Sequence, residues 1–366
     1  MSTFDTKLNQ SICVLPWIHR YSEINDKVSP CCHGSALAPG ETLEHIRHEM
    51  LQGKKPSACN RCYRAEKKSG WSPRIHETID WLKKHGEPDI NKPNIQSIDI
   101  RFDPTCNLKC KTCGPSYSTL WKKEKGIPIT KNKFNHDLMD EVDKKILRKV
   151  YIAGGEPTYV NAYLKWLEDL FSVNPKCEVI INTNLKRLPI AWKEVIKKFE
   201  HLSIICSCDA TEKLATYVRY PVDWGEFEKN VEFVRQNANF LQFNLVASNL
   251  TIHKLYETCS WMKNYSKHIN VSVLQTPLIF SEKAVPMSAR QPYIEDLEKL
   301  KKFPVSIYYA SRFRSQIQYL IKNYTESNYD QALHKKLAEE IREQDSHRKL
   351  KLVEVDDFLY SWIHAQ

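Results

Sequence analysis

Long apolar runs are missing from this sequence. No stretch of about 18 apolar residues occurs, the length that a membrane-spanning helix needs. The first residues, MSTFDTKLNQSICVLPW, lack the basic-then-apolar pattern of a secretory signal peptide. Internal repeats and low-complexity segments are missing as well. The sequence therefore predicts a soluble, cytoplasmic protein without a membrane partner, and its 42% hydrophobic content is enough for a substantial core.

A basic stripe interleaved with aromatic residues, the usual mark of a nucleic-acid-binding surface, is also missing. The 54 basic residues exceed the 44 acidic ones and give a formal net charge of +10. The lysines, however, occur in scattered pairs within helical-looking segments, as on solvated helix faces. A nucleic-acid partner is therefore not expected.

Cysteine, by contrast, is abundant, with 12 in the chain. Without an export signal thiols stay reduced, so clustered cysteines indicate metal or cluster ligation rather than disulfides. Eight of them form two groups, the first with Cys13, Cys31, Cys32, Cys59 and Cys62, and the second with Cys106, Cys110 and Cys113. The other four have apolar or strand-like neighbours and are predicted to be core residues: Cys177, Cys206, Cys208 and Cys259.

Short β-branched runs alternate with longer amphipathic stretches from residue 95 onward, which is typical of βαβ units. Six strands are predicted, over residues 95–102, 149–154, 177–183, 202–208, 240–248 and 269–275. Helices are predicted over residues 162–171, 191–199, 223–237 and 253–265. We therefore expect an α/β fold, a partial (β/α)6 barrel of parallel strands, with functional residues at the carboxyl ends of the strands.

Three segments differ in pattern along the chain. Residues 1–94 have few periodic runs, several turn signals and the first cysteine group, which predicts a small cysteine-rich cluster domain. Residues 95–287 contain the alternating strands and helices. Residues 288–366 are charged and helical in pattern, so they are expected to form a helical C-terminal extension.

The segment DPTCNLKCKTC directly follows the first predicted strand. It supplies Cys106, Cys110 and Cys113 with the spacing Cys-x3-Cys-x2-Cys. Three thiolates are one ligand too few for a closed four-iron cluster, so one iron keeps an open coordination site. From spacing alone, a zinc site or three unrelated thiols remain alternatives.

This loop, at the start of a six-strand α/β pattern, resembles the radical SAM superfamily. The resemblance implies a [4Fe–4S] cluster on Cys106, Cys110 and Cys113 whose open iron binds S-adenosylmethionine (SAM). It further implies reductive cleavage of SAM to a 5′-deoxyadenosyl radical that abstracts a substrate hydrogen. An electron donor such as flavodoxin or ferredoxin is the partner that this chemistry implies.

The second predicted strand ends in the sequence AGGEP. Gly154 and Gly155 allow the backbone to approach a ligand closely, and Glu156 adds an acceptor. At a strand end after the cysteine loop, this segment resembles the Gly-Gly-Glu motif with which the superfamily binds the SAM amino group.

Polar residues also close the later predicted strands, where the superfamily binds the rest of SAM. The resemblance implies ribose and carboxylate contacts at the third and fourth strand ends, a guanidinium partner for the SAM carboxylate, and adenine contacts after the fifth and sixth strands. In that order the residues are Asn182, Thr183, Ser207 and Asp209, then Arg219, then Asn249 and Gln275. Ordinary turn and helix-cap roles remain an alternative for each polar position.

The N-terminal cysteines form the second candidate site. Four well-placed cysteines suit a structural zinc ion or a four-iron cluster equally well by geometry alone. The stretch with Cys13, Cys31, Cys59 and Cys62 resembles the SPASM and twitch modules, here in N-terminal position, which implies an auxiliary [4Fe–4S] cluster. Adjacent Cys31 and Cys32 cannot easily reach two corners of one cluster, and Cys31 is the expected ligand.

The resemblance implies redox-active chemistry, and the leading prediction is modification of a ribosomally made peptide or protein side chain by crosslinking, oxidation or epimerisation. The alternatives are dehydrogenation or epimerisation of a small molecule such as a sugar, nucleoside or antibiotic precursor, and modification of RNA. A zinc-stabilised nucleic-acid-binding protein is the non-enzymatic alternative.

Overall fold

A computed structural model describes residues 3–5, 10–23, 28–101, 103–129, 142–274 and 276–365. Within those residues the fold is built on one sheet of seven parallel strands, whose spatial order follows the chain order. The strands are β1 His19–Glu23, β2 Ser97–Arg101, β3 Lys149–Ile152, β4 Glu178–Thr183, β5 Leu202–Ser207, β6 Phe240–Ala247 and β7 Ile269–Val273. This confirms the α/β class and the partial barrel of parallel strands.

The six predicted strands correspond to β2–β7, and the prediction missed β1. Its sequence, HRYSE, lacks β-branched residues and is largely polar, because β1 lies at the edge of the sheet. β1 pairs with β2 in a parallel register from His19↔Ser97 to Glu23↔Arg101. The sheet therefore has one more strand than the sequence predicted, and residues 1–94 supply it.

One short helix precedes β1 and the other described helices lie between and after the strands. The four predicted helices correspond to α6, α7, α9 and α10. The helices are α1 Leu15–Ile18, α2 Leu43–Leu51, α3 Asn60–Ser69, α4 Pro73–His85, α5 Thr119–Glu124, α6 Asn161–Val173, α7 Ile190–Lys198, α8 Glu212–Val218, α9 Trp224–Asn237, α10 Leu255–Lys263, α11 Gln291–Leu300, α12 Ile307–Glu326, α13 Gln331–His347 and α14 Asp357–Ile363. Short 3-10 turns are Ser57–Cys59, Pro157–Tyr159, Ile252–Lys254, Leu278–Phe280, Glu282–Ala284, Met287–Ala289 and Leu352–Glu354. None of the helices in the described ranges combines the length and the apolar character needed to cross a membrane.

Two clusters of buried apolar side chains hold the molecule together. The larger one contains the apolar face of the sheet, the helices that cover it, and C-terminal side chains such as Phe313 and Ile341. The smaller one belongs to the N-terminal residues and includes Trp17 and Trp81. Hydrophobic burial is the main stabilising contribution in both. The four cysteines predicted to be core residues are all buried, which confirms that prediction: Cys177, Cys206, Cys208 and Cys259.

Candidate functional site

The three-cysteine loop follows β2, at the carboxyl edge of the sheet. Cys106, Cys110 and Cys113 are half-buried there. Burial and the charges of the other two thiols raise the pKa of Cys106 to about 12, and burial raises the pKa of Cys110 to about 12 against the opposing effect of Arg219. The thiols thus lie within electrostatic reach of one another, and in their ionised form they suit a cationic iron–sulfur group.

The backbone of this loop is fixed by hydrogen bonds. The N–H groups of Lys109 and Lys111 donate to the carbonyls of Tyr220 and Val218 at 2.8 and 2.7 Å. On the other side the indole N–H of Trp121 donates to the carbonyl of Cys110 at 2.9 Å. The loop is therefore positioned by the segment after α8 and by α5.

The Gly-Gly-Glu turn after β3 lies directly against the cysteine loop. The N–H of Gly155 donates to the carbonyl of Asp103 at 2.9 Å, and the N–H of Glu156 to that of Thr105 at 2.8 Å. Gly154 has φ +123°, and a Cβ on Gly155 would lie 2.2 Å from the Thr105 carbonyl oxygen. The close approach that the two glycines allow is therefore to the chain's own cysteine loop.

The carboxylate of Glu156 is buried and joins the ends of β3 and β4. Its Oε1 accepts from the hydroxyls of Thr158 and Thr183, each at 2.6 Å, and its Oε2 accepts from the N–H of Asn184 at 2.7 Å. The side-chain amide of Asn184 in turn lies 3.9 Å from the sulfur of Cys106. Burial raises the pKa of Glu156, and these hydrogen bonds oppose the rise. The predicted contact with the SAM amino group stays a prediction, since both oxygens accept from the chain itself.

Arg219 and Asp209 form an ion pair beside the cysteine loop. The Nη1 of Arg219 donates to Oδ2 of Asp209 at 2.8 Å, and their side chains are 12% and 8% exposed. The other oxygen of Asp209 accepts from the N–H of Val246 at 2.9 Å. Desolvation opposes the charge of Arg219, but Cys110 and Asp209 raise its pKa overall, while its buried Nε has no hydrogen-bond partner among the described residues. A buried cation with an unused donor therefore lies near Cys110 and Cys113.

Amide and hydroxyl side chains line the half-buried face of the sheet. Ser207 donates to Oδ1 of Asn182 at 3.1 Å. Oδ1 of Asn244 accepts from Gln242 at 2.8 Å and from Asn270 at 3.0 Å. This face presents both donors and acceptors, which suits a polar molecule.

The two positions predicted to contact adenine are Asn249 and Gln275, and that contact stays a prediction. Asn249 is fully buried, and its amide donates to the carbonyls of Ile279 and Ser281 at 2.9 and 3.0 Å, which fixes the end of the 3-10 turn Leu278–Phe280. Gln275 lies outside the described residues.

Four N-terminal cysteines line a single pocket: Cys13, Cys31, Cys59 and Cys62. Cys59 and Cys62 meet there because they are three residues apart at the start of α3. A hydrogen bond connects the turn after Cys31 to the 3-10 turn Ser57–Cys59. The N–H of Ser35 donates to the carbonyl of Ala58 at 2.8 Å. Burial and neighbouring thiols raise the pKa of Cys31 and of Cys59 to about 12.

Cys32 lies outside this pocket. Its thiol packs against Asp99 of β2, where burial and then the charge of that carboxylate raise its pKa. Asp99 itself accepts two hydrogen bonds from Arg101, at 2.8 and 3.0 Å, and the rings of Tyr21 and Tyr151 flank the guanidinium. The two adjacent cysteines therefore face different parts of the molecule.

Arg74 is a pocket residue that sequence reasoning missed. Its side chain is 3% exposed and pairs with Glu66 through hydrogen bonds of 2.8 and 2.7 Å. It also donates to the carbonyl of Ile12, next to Cys13. An arginine directly after the Ser-Pro start of α4 carried no recognisable signal, because its partners come from α3 and from the chain before α1.

The donor chemistry of both sites fits iron–sulfur clusters, in which each thiolate binds its own iron. In the part of the chain that the structure describes, no three His, Cys, Asp or Glu side chains are grouped so as to hold one metal ion. The three-cysteine loop suits a cluster with one open iron, and the four-cysteine pocket suits a cluster with four protein ligands.

Residues 100–186 match a family described as a 4Fe-4S single cluster domain. Among curated proteins, none matches this chain. Of the solved structures, native anSMEcpe with bound AdoMet is similar at 17% identity and a TM-score of 0.43, over 56% of this chain and 59% of that chain. This chain thus covers less than two thirds of the length of anSMEcpe.

Two further structures are similar to the chain. Streptococcus suis SuiB bound to the precursor peptide SuiA has 14% identity and a TM-score of 0.39, over 85% of this chain and 82% of that chain. Coproporphyrinogen III oxidase (HemN) from Escherichia coli, a radical SAM enzyme, has 13% identity and a TM-score of 0.37, over 62% and 51%. Values this low carry no information on what this chain acts on. The matched segment, residues 100–186, spans about a quarter of the chain and contains Cys106, Cys110 and Cys113.

Proposed function

We propose that this protein is a radical SAM enzyme whose cluster is held by Cys106, Cys110 and Cys113. The observation that carries the proposal is the convergence of three thiols on one loop, inside the segment that matches a 4Fe-4S single cluster domain. When bound, such a cluster supplies the electron that cleaves SAM and starts hydrogen abstraction. The chain fixes the loop against the Gly-Gly-Glu turn and sets Arg219 beside it for the SAM carboxylate.

The test of this proposal is the formation of 5′-deoxyadenosine by protein reconstituted anaerobically with iron, sulfide and reductant. We expect the wild type to form 5′-deoxyadenosine. The variant with Cys106, Cys110 and Cys113 replaced by alanine should form none. Cys177→Ala, a buried cysteine away from both groups, is the control and should retain formation. Equal formation by the triple variant would rule the proposal out.

We further propose that Cys13, Cys31, Cys59 and Cys62 hold an auxiliary [4Fe–4S] cluster. Their shared pocket supports this, and Arg74 in its wall adds a positive charge that favours the ionised form of Cys13. Cys32, turned toward Asp99, is left out of the ligand set. This arrangement gives residues 1–94 the role of an auxiliary-cluster domain of the SPASM and twitch type.

Metal analysis separates this cluster from structural zinc. The wild type should bind about eight irons, and the Cys106, Cys110 and Cys113 triple variant about four, if each site holds a four-iron cluster. Cys32→Ala should leave the wild-type number unchanged, whereas Cys31→Ala should lower it. About one zinc and almost no iron in the triple variant would refute the auxiliary cluster.

For the substrate, we propose a peptide or protein whose side chain is oxidised, crosslinked or epimerised. The side chains of Asn182, Ser207 and Asn244 support this, because amides and hydroxyls can both donate hydrogen bonds to a peptide backbone and accept them from it. A polyhydroxylated small molecule meets the same groups and is the second candidate.

Cell extract that stimulates 5′-deoxyadenosine formation provides the test of substrate class. Stimulation that protease treatment removes supports a peptide or protein. If the stimulating activity resists protease and is found in the small-molecule fraction, the substrate is not a peptide or protein. If ribonuclease removes the stimulation, the substrate is RNA.

A further inference from the structure

The end of α13 contacts the back of the three-cysteine loop through a buried ion pair. Lys111 stands between Cys110 and Cys113, its side chain is fully buried, and its Nζ lies 3.2 Å from Oδ1 of Asp345. The same ammonium lies 3.9 Å from the centre of the Tyr217 ring, a cation–π contact.

Asp345 is held in place by two further donors. The hydroxyl of Tyr217 donates to its Oδ1 at 2.9 Å, and the N–H of Leu352 donates to its Oδ2 at 2.7 Å. A carboxylate with three donors on two oxygens is a fixed anchor, so the position of Lys111 is set by the C-terminal residues.

A second contact lies beside the first. Arg348, whose side chain is 1% exposed, donates to Oε1 of Glu124 at 2.8 Å, and Glu124 also pairs with Lys109 of the cysteine loop. The Arg348 guanidinium stacks 4.8 Å from the ring of Trp121, which donates to the carbonyl of Cys110. Both lysines of the loop therefore connect to the C-terminal extension, one directly and one through Glu124.

We propose that the C-terminal extension is a clamp that positions the three-cysteine loop before any cluster is bound, with Asp345 as the positioning residue. The inference rests on the proposed function for its purpose, since a preorganised set of thiolates binds a cluster without ordering the loop at that moment. Asp345 acts through Lys111 and contacts no thiol.

Removing one partner of a buried ion pair leaves the other charge uncompensated, so the loop must move to bring Lys111 to water. Asp345→Ala should therefore loosen the loop locally. Asp345→Asn retains an acceptor oxygen for Lys111 or Tyr217 and should loosen it less. Glu298→Ala on α11 removes an exposed ion pair with Lys301 and is the matched control.

The experiment is amide hydrogen exchange, followed by mass spectrometry, on the full chain without iron. In Asp345→Ala we expect exchange of the Lys109 and Lys111 amides at least about tenfold faster than in the wild type, with exchange in β4–β6 unchanged. The exchange rate of these amides in Asp345→Asn should lie between those of the wild type and Asp345→Ala. The rate in the control, Glu298→Ala, should equal that of the wild type. Iron release to a chelator from reconstituted protein should follow the same order.

Unchanged amide exchange at residues 106–113 in Asp345→Ala would overturn the clamp. An equal rise in exchange throughout the chain would also overturn it, because it would show that Asp345 stabilises the whole fold. If Asp345→Ala does not fold, Asp345→Asn decides by the same criteria. Because exchange needs no cluster, the two proposals fail separately. A protein that never binds iron refutes the enzyme, and unaltered exchange with normal 5′-deoxyadenosine formation refutes only the clamp.

Discussion

Gly155 is the residue at which the site tolerates least change. Its ideal Cβ position lies 2.2 Å from the carbonyl oxygen of Thr105, one residue before Cys106. Gly114, beside Cys113 in the same loop, has no atom within 4 Å of its ideal Cβ position. The turn after β3 and the cysteine loop thus fix each other by backbone contact.

Gly155→Ala should lower the free energy of unfolding by about 1–3 kcal/mol, the usual cost of overpacking. It should also lower the iron bound after reconstitution, because the cysteine loop has to shift. Thermal unfolding and iron analysis measure both effects, with Gly114→Ala as control. Equal results for the two alanine variants would contradict this account of the turn.

Arg219 has a predicted role, as partner of the SAM carboxylate, that an experiment on SAM binding can test. Its Nε is buried without a partner among the described residues, and it lies beside the thiols. Loss of a buried charged contact costs about 2–5 kcal/mol, so Arg219→Ala should weaken SAM binding at least about tenfold. Calorimetry on the iron-loaded variant tests this, with Arg235→Ala on α9 as an exposed control. Unchanged SAM affinity in Arg219→Ala would remove Arg219 from the SAM site.

Among the elements, the strands with β-branched cores were predictable and β1 was not. In β4 and β5, buried and half-buried residues alternate, and the apolar residues of the two segments predict this arrangement. The polar segment β1 is a strand because it pairs with β2. Its own residues do not reveal that pairing. The spacing of the cysteines predicted the loop after β2, because ligands close in sequence share one turn.

β1 also carries a buried histidine with a consequence for stability. Nδ1 of His19 lies 2.9 Å from the hydroxyl of Ser97, and burial lowers the pKa of His19 to about 4. Asp99 and Glu77 oppose this shift, and Lys149 and Arg101 add to it. The folded state thus binds this proton less readily than the unfolded state, so the stabilising contribution is present above the ordinary pKa of 6.5 and is lost as the pH falls toward 4.

Between about pH 7 and about pH 5 this one histidine should lower the free energy of unfolding by roughly 2 kcal/mol. His19→Gln keeps a neutral hydrogen-bonding side chain and should reduce the pH dependence by that amount. Urea unfolding of both proteins at the two pH values tests the prediction. The same pH dependence in both would show that His19 is not the group responsible.

Across the whole molecule, both ends of the chain contribute to the sheet or to the loops that follow its strands. The N-terminal residues supply β1 and the four-cysteine pocket, and the C-terminal helix α13 supplies Asp345, which contacts Lys111 across 234 residues of sequence. The local sequence does not predict such a pairing, because nothing distinguishes Asp345 from the other charged residues of α13. The thiols of the site could therefore be predicted, whereas the residues that position them could not.

The proposed cluster on Cys106, Cys110 and Cys113 keeps an open iron that binds SAM. Electron paramagnetic resonance of anaerobically reconstituted, reduced protein, recorded with and without SAM, tests this most directly. We expect SAM to change the cluster signal of the wild type and to leave unchanged the remaining signal of the variant with Cys106, Cys110 and Cys113 replaced by alanine. A wild-type signal that is the same with and without SAM would contradict it.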